Sequence, residues 1–206
     1  MDLTPADYPT ERMEPVSIGS VSDPELVERA RRGDDAAFGT LVDRHRSSVF
    51  RAALAALGSP EDAEEVAQEA FVAAHRYLRD FREDASFKTW LLAIAWRKAL
   101  TRRRNVRTLL RRFVQPPEDT EWQVADSGQS QEQSLLDDEL RGHLRRQIAM
   151  LAPKLRDALL LASAGDDSYT DIAGVLGIPV GTLKWRVSEA RRQLKARLAG
   201  LGYGRI

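Results

Sequence analysis

Cysteine is absent from this 206-residue sequence, which excludes disulfides, thiolate metal sites, cysteine nucleophiles and iron–sulfur clusters. Histidine occurs only at His45, His75 and His143, without the spacing of a metal site, so no metal is expected. No apolar run approaches the ~18 residues of a membrane span, and the N-terminal stretch lacks the apolar centre of a signal peptide. The expectation is a soluble, cytoplasmic chain. A Ser/His/acid set and a glycine-rich phosphate loop are also missing, so no enzyme, cofactor or small-molecule substrate is expected. Net charge is absent too, with 31 Lys and Arg against 31 Asp and Glu. Taken alone, that balance argues against a nucleic-acid partner.

The balance hides a sorting by position. Residues 88–112 carry nine Lys and Arg and no acid, residues 113–139 carry eight Asp and Glu and no base, and residues 140–206 carry twelve bases against five acids. Two basic surfaces separated by an acidic connector are therefore expected. Arg102, Arg103 and Arg104, followed by Arg107, Arg111 and Arg112, meet no counter-charge in their own segment.

The hydrophobic share is 43%, enough for a core. Residues 1–21 hold Pro5, Pro9 and Pro15 without a helical period and read as a disordered extension. Either Met1 or Met13 serves as the start. From Ser22 the apolar period is helical. Ser22, Asp34, Ser59 and Ser86 each open a helix as capping residues, and Gly33 and Gly58 close the first two. Phe38, Leu41, Val49, Phe50 and Ala53 form one stripe; Ala63, Val66, Ala67, Ala70, Phe71 and Ala74 form the next. Asp80 to Ala85 is a polar break. Pro116, Pro117, Gly128 and many Gln, Ser and acidic residues mark a linker. No segment alternates with period two. The expected fold is all-α: a helical domain over 22–112, an acidic linker over 113–137 and a second helical domain over 138–201. Each is small for its own core, so a partner is expected to help stabilise both.

The second domain carries a compact motif. Ser168 and Asp171 form a capping box, Ile172, Ala173 and Leu176 point inward, Gly177 permits a tight turn and Pro179 suits the start of the next helix. That helix has Leu183, Val187, Ala190, Leu194 and Leu198 on one face and Lys184, Arg186, Arg191, Arg192, Lys195 and Arg197 on the other. Two short helices, a glycine turn and a basic second helix make a helix-turn-helix, whose second helix suits the major groove. A helical hairpin with a solvated basic face is the plainer alternative.

Ser168 to Ala173 followed by Leu176 to Lys184 resembles region 4 of bacterial RNA polymerase sigma factors, of the extracytoplasmic-function (ECF) type in the sigma-70 family. The first domain resembles region 2: Asp62 to Phe71 is similar to the polymerase-binding helix, and Phe87 to Leu91 with Ile94 and Ala95 to the promoter-melting segment. The resemblance implies core RNA polymerase as partner, through a coiled coil of the largest subunit and its flap. Promoter DNA and an anti-sigma factor, often membrane-bound in this family, are the other implied partners. Asp62, Glu65, Gln68, Glu69 and Phe71 are the implied polymerase contacts; Phe71 also lies in the apolar stripe and equally suits the core.

For the −10 element the implied residues are Phe81, Arg82, Ser86, Lys88, Trp96, Arg97, Lys98, Arg102, Arg103 and Arg104. Trp90 shares the register of Ile94 and reads as core, whereas Trp96 lies off it and reads as an exposed aromatic. For the −35 element they are Ser168, Thr182, Lys184, Trp185, Arg186, Ser188 and Arg191. The chain departs from the family pattern at Arg97, Thr101, Trp185 and Glu189, so its promoter preference is its own. Trp185 suits either a thymine methyl or packing on Leu176, and Glu189 suits either cytosine N4 or repulsion of a phosphate. The acidic linker is either a nucleic-acid mimic in the polymerase channel or a solubilising tether. The competing function is an autonomous helix-turn-helix regulator, which would bind DNA without polymerase.

Overall fold

The computed structural model describes residues 21–113, 142–165 and 167–201. The expectations for residues 1–20 and for the acidic linker beyond Phe113 lie outside the described residues. Among those described, every regular element is helical: α1 (Asp23–Arg31), α2 (Asp35–Leu57), α3 (Pro60–Tyr77) with a short 3-10 turn (Leu78–Asp80), α4 (Phe87–Phe113), α5 (residues 142–149), α6 (Pro153–Ser163), α7 (Tyr169–Leu176) and α8 (Val180–Gly200).

The helix boundaries follow the capping chemistry. Asp34 accepts the Ala37 N–H at 3.0 Å, Ser59 accepts the Asp62 N–H at 3.2 Å and Ser86 accepts the Thr89 N–H at 3.1 Å. Each satisfies a donor that the first helical turn leaves open. Gly58 and Gly177 end their helices at left-handed φ of 76° and 63°, a conformation that a Cβ disfavours.

In the first half, α2, α3 and α4 pack on one another and α1 lies across α2. Leu41, Val49, Val66, Leu91 and Trp96 are the buried centre. Burying such side chains stabilises by about 1.5–3 kcal/mol each. His45 is buried in this layer and donates from Nε2 to Asp23 at 2.7 Å. Burial pushes its imidazole below the ordinary value, outweighing the pull of Asp23, so the ring is held neutral.

In the second half, α6 and α8 pack together and α7 rests on both. Leu151, Leu161, Ile172, Leu183 and Val187 fill the space between them. The two halves are not separate: α7 lies on α4, α6 lies on α2, and the buried side chains form one continuous cluster. Each small core is thus extended by the other.

Candidate nucleic-acid interface

On α3 the apolar stripe Ala63, Val66, Ala67, Ala70 and Ala74 faces the core. Glu65, Gln68 and Glu69 therefore point outward, with Asp62 half-buried at the first turn. Phe71 is half-buried and packs against the core. Beside this face runs a groove of about 810 Å³ between α3 and α4, lined by Gln68, Val72, Tyr77, Trp90, Ile94 and Arg97 among others. Val72 and Tyr77 are 63% and 51% exposed, and sequence reasoning passed over both. The signal was two large apolar residues standing off the core stripe of α3.

The acids of α3 meet the bases of α4 across that groove. Arg102 Nη2 lies 2.7 Å from Asp62 and 2.6 Å from Glu65, and Lys98 Nζ lies 2.9 Å from Glu69. The Arg102 hydrogen bond holds the Glu65 carboxyl below its ordinary value. Two sets of residues predicted for different partners are therefore paired with each other. These pairs are open to solvent, which screens them, so they add little to stability.

The segment before α4 differs from expectation at Phe81. Its ring is buried at 7% exposure, 4.9 Å from Trp90 and 6.0 Å edge-on to Phe87. Arg31 holds the turn from below, donating to the carbonyls of Leu78 and Phe81 and pairing with Glu83 at 2.8 Å. Phe81 is therefore an anchor, while Arg82 and Ser86 are exposed. Trp96 is a second correction. It is 2% exposed and lies in the core, because α4 is covered by α2 and α3 on one side and by α7 near its start, so its buried stripe is wider than one register. Trp90, read as core, is half-buried and lines the groove.

Further along α4, Arg97 and Arg104 are exposed. Arg103 turns the other way: it donates to the Ala56 carbonyl at 3.4 Å and to Asp157 of α6 at 2.9 Å. Lys88 pairs with Asp167, and Thr89 donates to Asp171 at 2.8 Å. These three contacts join the halves.

On α7 and α8 the helix-turn-helix is formed as spaced. The Ser168 hydroxyl donates to Asp171 at 2.5 Å and accepts the Asp171 N–H at 3.1 Å, so it is engaged within the cap. Burial works to raise the Asp171 carboxyl, but hydrogen bonds from Ser168 and Thr89 and the charge of Lys88 hold it below its ordinary value. Leu183, Val187, Ala190 and Leu194 point inward. Lys184, Trp185, Ser188 and Arg191 are exposed, and Thr182 and Arg186 are half-buried. Trp185 is 62% exposed, so its ring is not consumed by packing on Leu176. Glu189 accepts from Arg192 at 2.8 and 2.7 Å and from Gln193 at 2.8 Å, which lowers its carboxyl to about 2. Among the described residues, Lys184, Arg186, Arg191 and Lys195 have no carboxylate partner. This open cationic face with one exposed indole suits a duplex groove and its phosphates.

Comparison with known proteins covers both halves. Residues 41–109 match the Sigma-70 region 2 family and residues 141–194 match the Sigma-70, region 4 family. Over 87% of its length the chain is 35% identical to the RNA polymerase sigma-H factor of Pseudomonas aeruginosa, covering 95% of that protein. It is 34% identical to the ECF RNA polymerase sigma-E factor of Escherichia coli, over 88% of this chain and 96% of that one. Among solved structures, CnrH in complex with the cytosolic domain of CnrY aligns with a TM-score of 0.59 at 28% identity, over 86% of this chain and 97% of that one. The sigma factor RpoE of Bartonella quintana, in complex with the anti-sigma factor NepR, shares the fold at a TM-score of 0.58 and 23% identity, covering 79% and 96%.

Proposed function

Because the chain belongs to the ECF group of the sigma-70 family, we propose that it directs core RNA polymerase to a promoter through two separate basic helices. In this reading α8 enters the major groove of the −35 element. Lys184, Trp185 and Arg191 reach base edges or phosphates, with Thr182, Arg186 and Ser188 beside them. Arg82, Ser86, Lys88, Arg97, Lys98, Arg102, Arg103 and Arg104 serve the −10 strand, while Phe81 and Trp96 act as supports beneath them. The α3–α4 groove takes the polymerase, with Asp62, Glu65, Gln68 and Glu69 as its polar edge and Val72 and Tyr77 as apolar anchors. Phe71 supports that face from within.

The observation that carries the proposal is the cationic face of α8, where Lys184, Arg186, Arg191 and Lys195 have no carboxylate partner among the described residues, in a helix-turn-helix joined to a second half of the same family. Sigma factors are recognition subunits, so the polymerase supplies the chemistry. No helix among the described residues is long and apolar enough to cross a membrane. A cytoplasmic site of action and an anti-sigma partner belong to this proposal.

Run-off transcription tests it, using purified core polymerase and the DNA upstream of the protein's own gene, alongside a core-binding assay. A transcript that needs both chain and core is expected. DNA footprinting by the chain alone, with no core binding, would instead favour the autonomous regulator.

A further inference from the structure

The segment that leads into α4 is held by a residue far from it in sequence. Phe81 and Phe87 are buried at its two ends, with their rings edge-on at 6.0 Å, and the five residues between them, Arg82 to Ser86, are all exposed. Such a span buries too little of itself to fix its own shape. One guanidinium of α1, 52 residues before Glu83, supplies the missing ties. Arg31 Nε donates to the Leu78 carbonyl at 3.2 Å, Nη2 to the Phe81 carbonyl and Nη1 to the Glu83 carboxylate at 2.8 Å. Its Cζ stands 5.7 Å from the centre of the Phe81 ring. Glu28, one turn earlier on α1, accepts from Nη1 and steadies the guanidinium. A planar fork with several donors can serve all of these acceptors at once.

Glu83 is the residue that needs holding. Its φ is 60°, and among the described residues it is the only non-glycine in the left-handed region. A Cβ disfavours that conformation, and glutamate lacks the short side chain with which Asn and Asp tolerate it. Such a backbone persists where its surroundings over-determine it. The Arg31 side chain is 20% exposed and that of Glu83 is 50% exposed. The pair therefore grips the span from its sheltered side and leaves its outer edge open.

We infer that Arg31 is a positioning residue for promoter opening, which holds the Arg82 to Ser86 span in one shape before DNA arrives, so that an unstacked −10 base meets an edge already formed. The inference rests on the sigma reading, which puts Arg82 and Ser86 on the −10 strand, and adds to it a residue of α1 that acts from beneath. Unstacking a base draws on the binding energy of the surface that receives it. A span that had to be ordered in the same step would add its conformational entropy to that demand. Arg31 removes the second demand and leaves the first. The effect belongs to one step, because the polymerase face of α3 and the −35 face of α8 lie outside this network.

The full chain is tested with core polymerase on a promoter mapped by run-off from the DNA upstream of its own gene. A fluorescent adenine analogue in the −10 segment reports unstacking. Arg31→Ala is expected to slow the fluorescence rise by about fivefold or more, while core affinity and holoenzyme affinity for a −35 duplex are unchanged. Arg31→Lys keeps a charge near Glu83 without the planar fork, and is expected to recover only part of the rate. Glu83→Gly added to Arg31→Ala is expected to speed opening again, because glycine takes positive φ unaided. Unchanged opening in Arg31→Ala, or equal losses in opening, core binding and −35 binding, would overturn the inference.

If Arg31→Ala does not fold, as judged by circular dichroism, Glu83 carries the test with Arg31 intact. Glu83→Ala and Glu83→Gly both remove the carboxylate, but only alanine keeps a Cβ at positive φ. Alanine is expected to slow opening severalfold more than glycine, and equal rates would overturn the inference. The parent chain runs in parallel. A parent that directs no transcript would retire the sigma reading and this inference with it, whereas an active parent with a fully active Arg31→Ala would retire only the positioning role.

Discussion

Helices α4 and α8 are both strongly basic, yet their cations are in different states. On α4, Lys88, Lys98, Arg102 and Arg103 each meet a carboxylate. On α8, among the described residues, only Arg192 does. The segments look alike in composition, and it is the neighbours that separate them. Helix α4 lies between acidic α3 and the carboxylates of region 4, whereas the outer face of α8 meets solvent. A count of basic residues therefore locates surfaces able to bind nucleic acid without saying which are open.

The widest gap between the two helices should appear in stability. Trp96 is 2% exposed and Trp185 is 62% exposed. Trp96→Ala should cost about 3–5 kcal/mol in urea unfolding, and Trp185→Ala should stay within about 0.5 kcal/mol. Similar losses would end the contrast between a buried and an open aromatic. Charge removal sharpens it next. Arg191→Ala in holoenzyme should weaken binding to a −35 duplex and lower the salt slope by about one, with Lys184→Ala weakening it similarly. Arg102→Ala should lower the slope less, because Asp62 and Glu65 already hold that charge.

The pH response tests the buried side of region 2. The folded state depresses the His45 pKa from 6.5, chiefly by burial. Below about 6.5 the unfolded chain therefore binds more protons, and stability falls as pH drops from there toward the depressed value. The melting temperature should be lower at pH 5.5 than at pH 7.5, and His45→Gln should flatten that difference. The smallest effect belongs to Glu189→Gln on α8. It releases Arg192 from a surface pair, so the melting temperature should not change measurably while non-specific DNA affinity rises slightly.

Much of the fold was legible because its punctuation is local. Ser59, Ser86, Ser168 and Gly177 act within one turn of themselves, and the structure uses each as the residue type demands. The inward stripe of α8 was equally plain, since one helical period suffices to find Leu183, Val187, Ala190 and Leu194. Trp96 and Phe81 were misplaced for a shared reason. Their burial depends on other elements, mostly distant in sequence: Trp96 lies where α2 and α3 cover α4, and Phe81 meets Arg31 of α1 as well as Phe87 and Trp90 at the start of α4. The same distance hid the pairing of Lys98 with Glu69 and of Arg103 with Asp157. Periodicity reports which face of a helix is buried, and carries no information on how many neighbours share that burial.

Gly174 gives the contact between the halves a thermodynamic signature. It sits inside α7, where glycine is worse than alanine by about 1 kcal/mol. Seen from region 4 alone, the residue is a flaw in a short helix. Seen from Thr89, it is the only side chain that fits. Alanine at this position should therefore obstruct the seat of α7 on α4 and loosen that contact, while its gain in helix propensity is the same whether α7 is packed or not and leaves that balance unchanged. One methyl group thus becomes a gauge of how much of the population is packed.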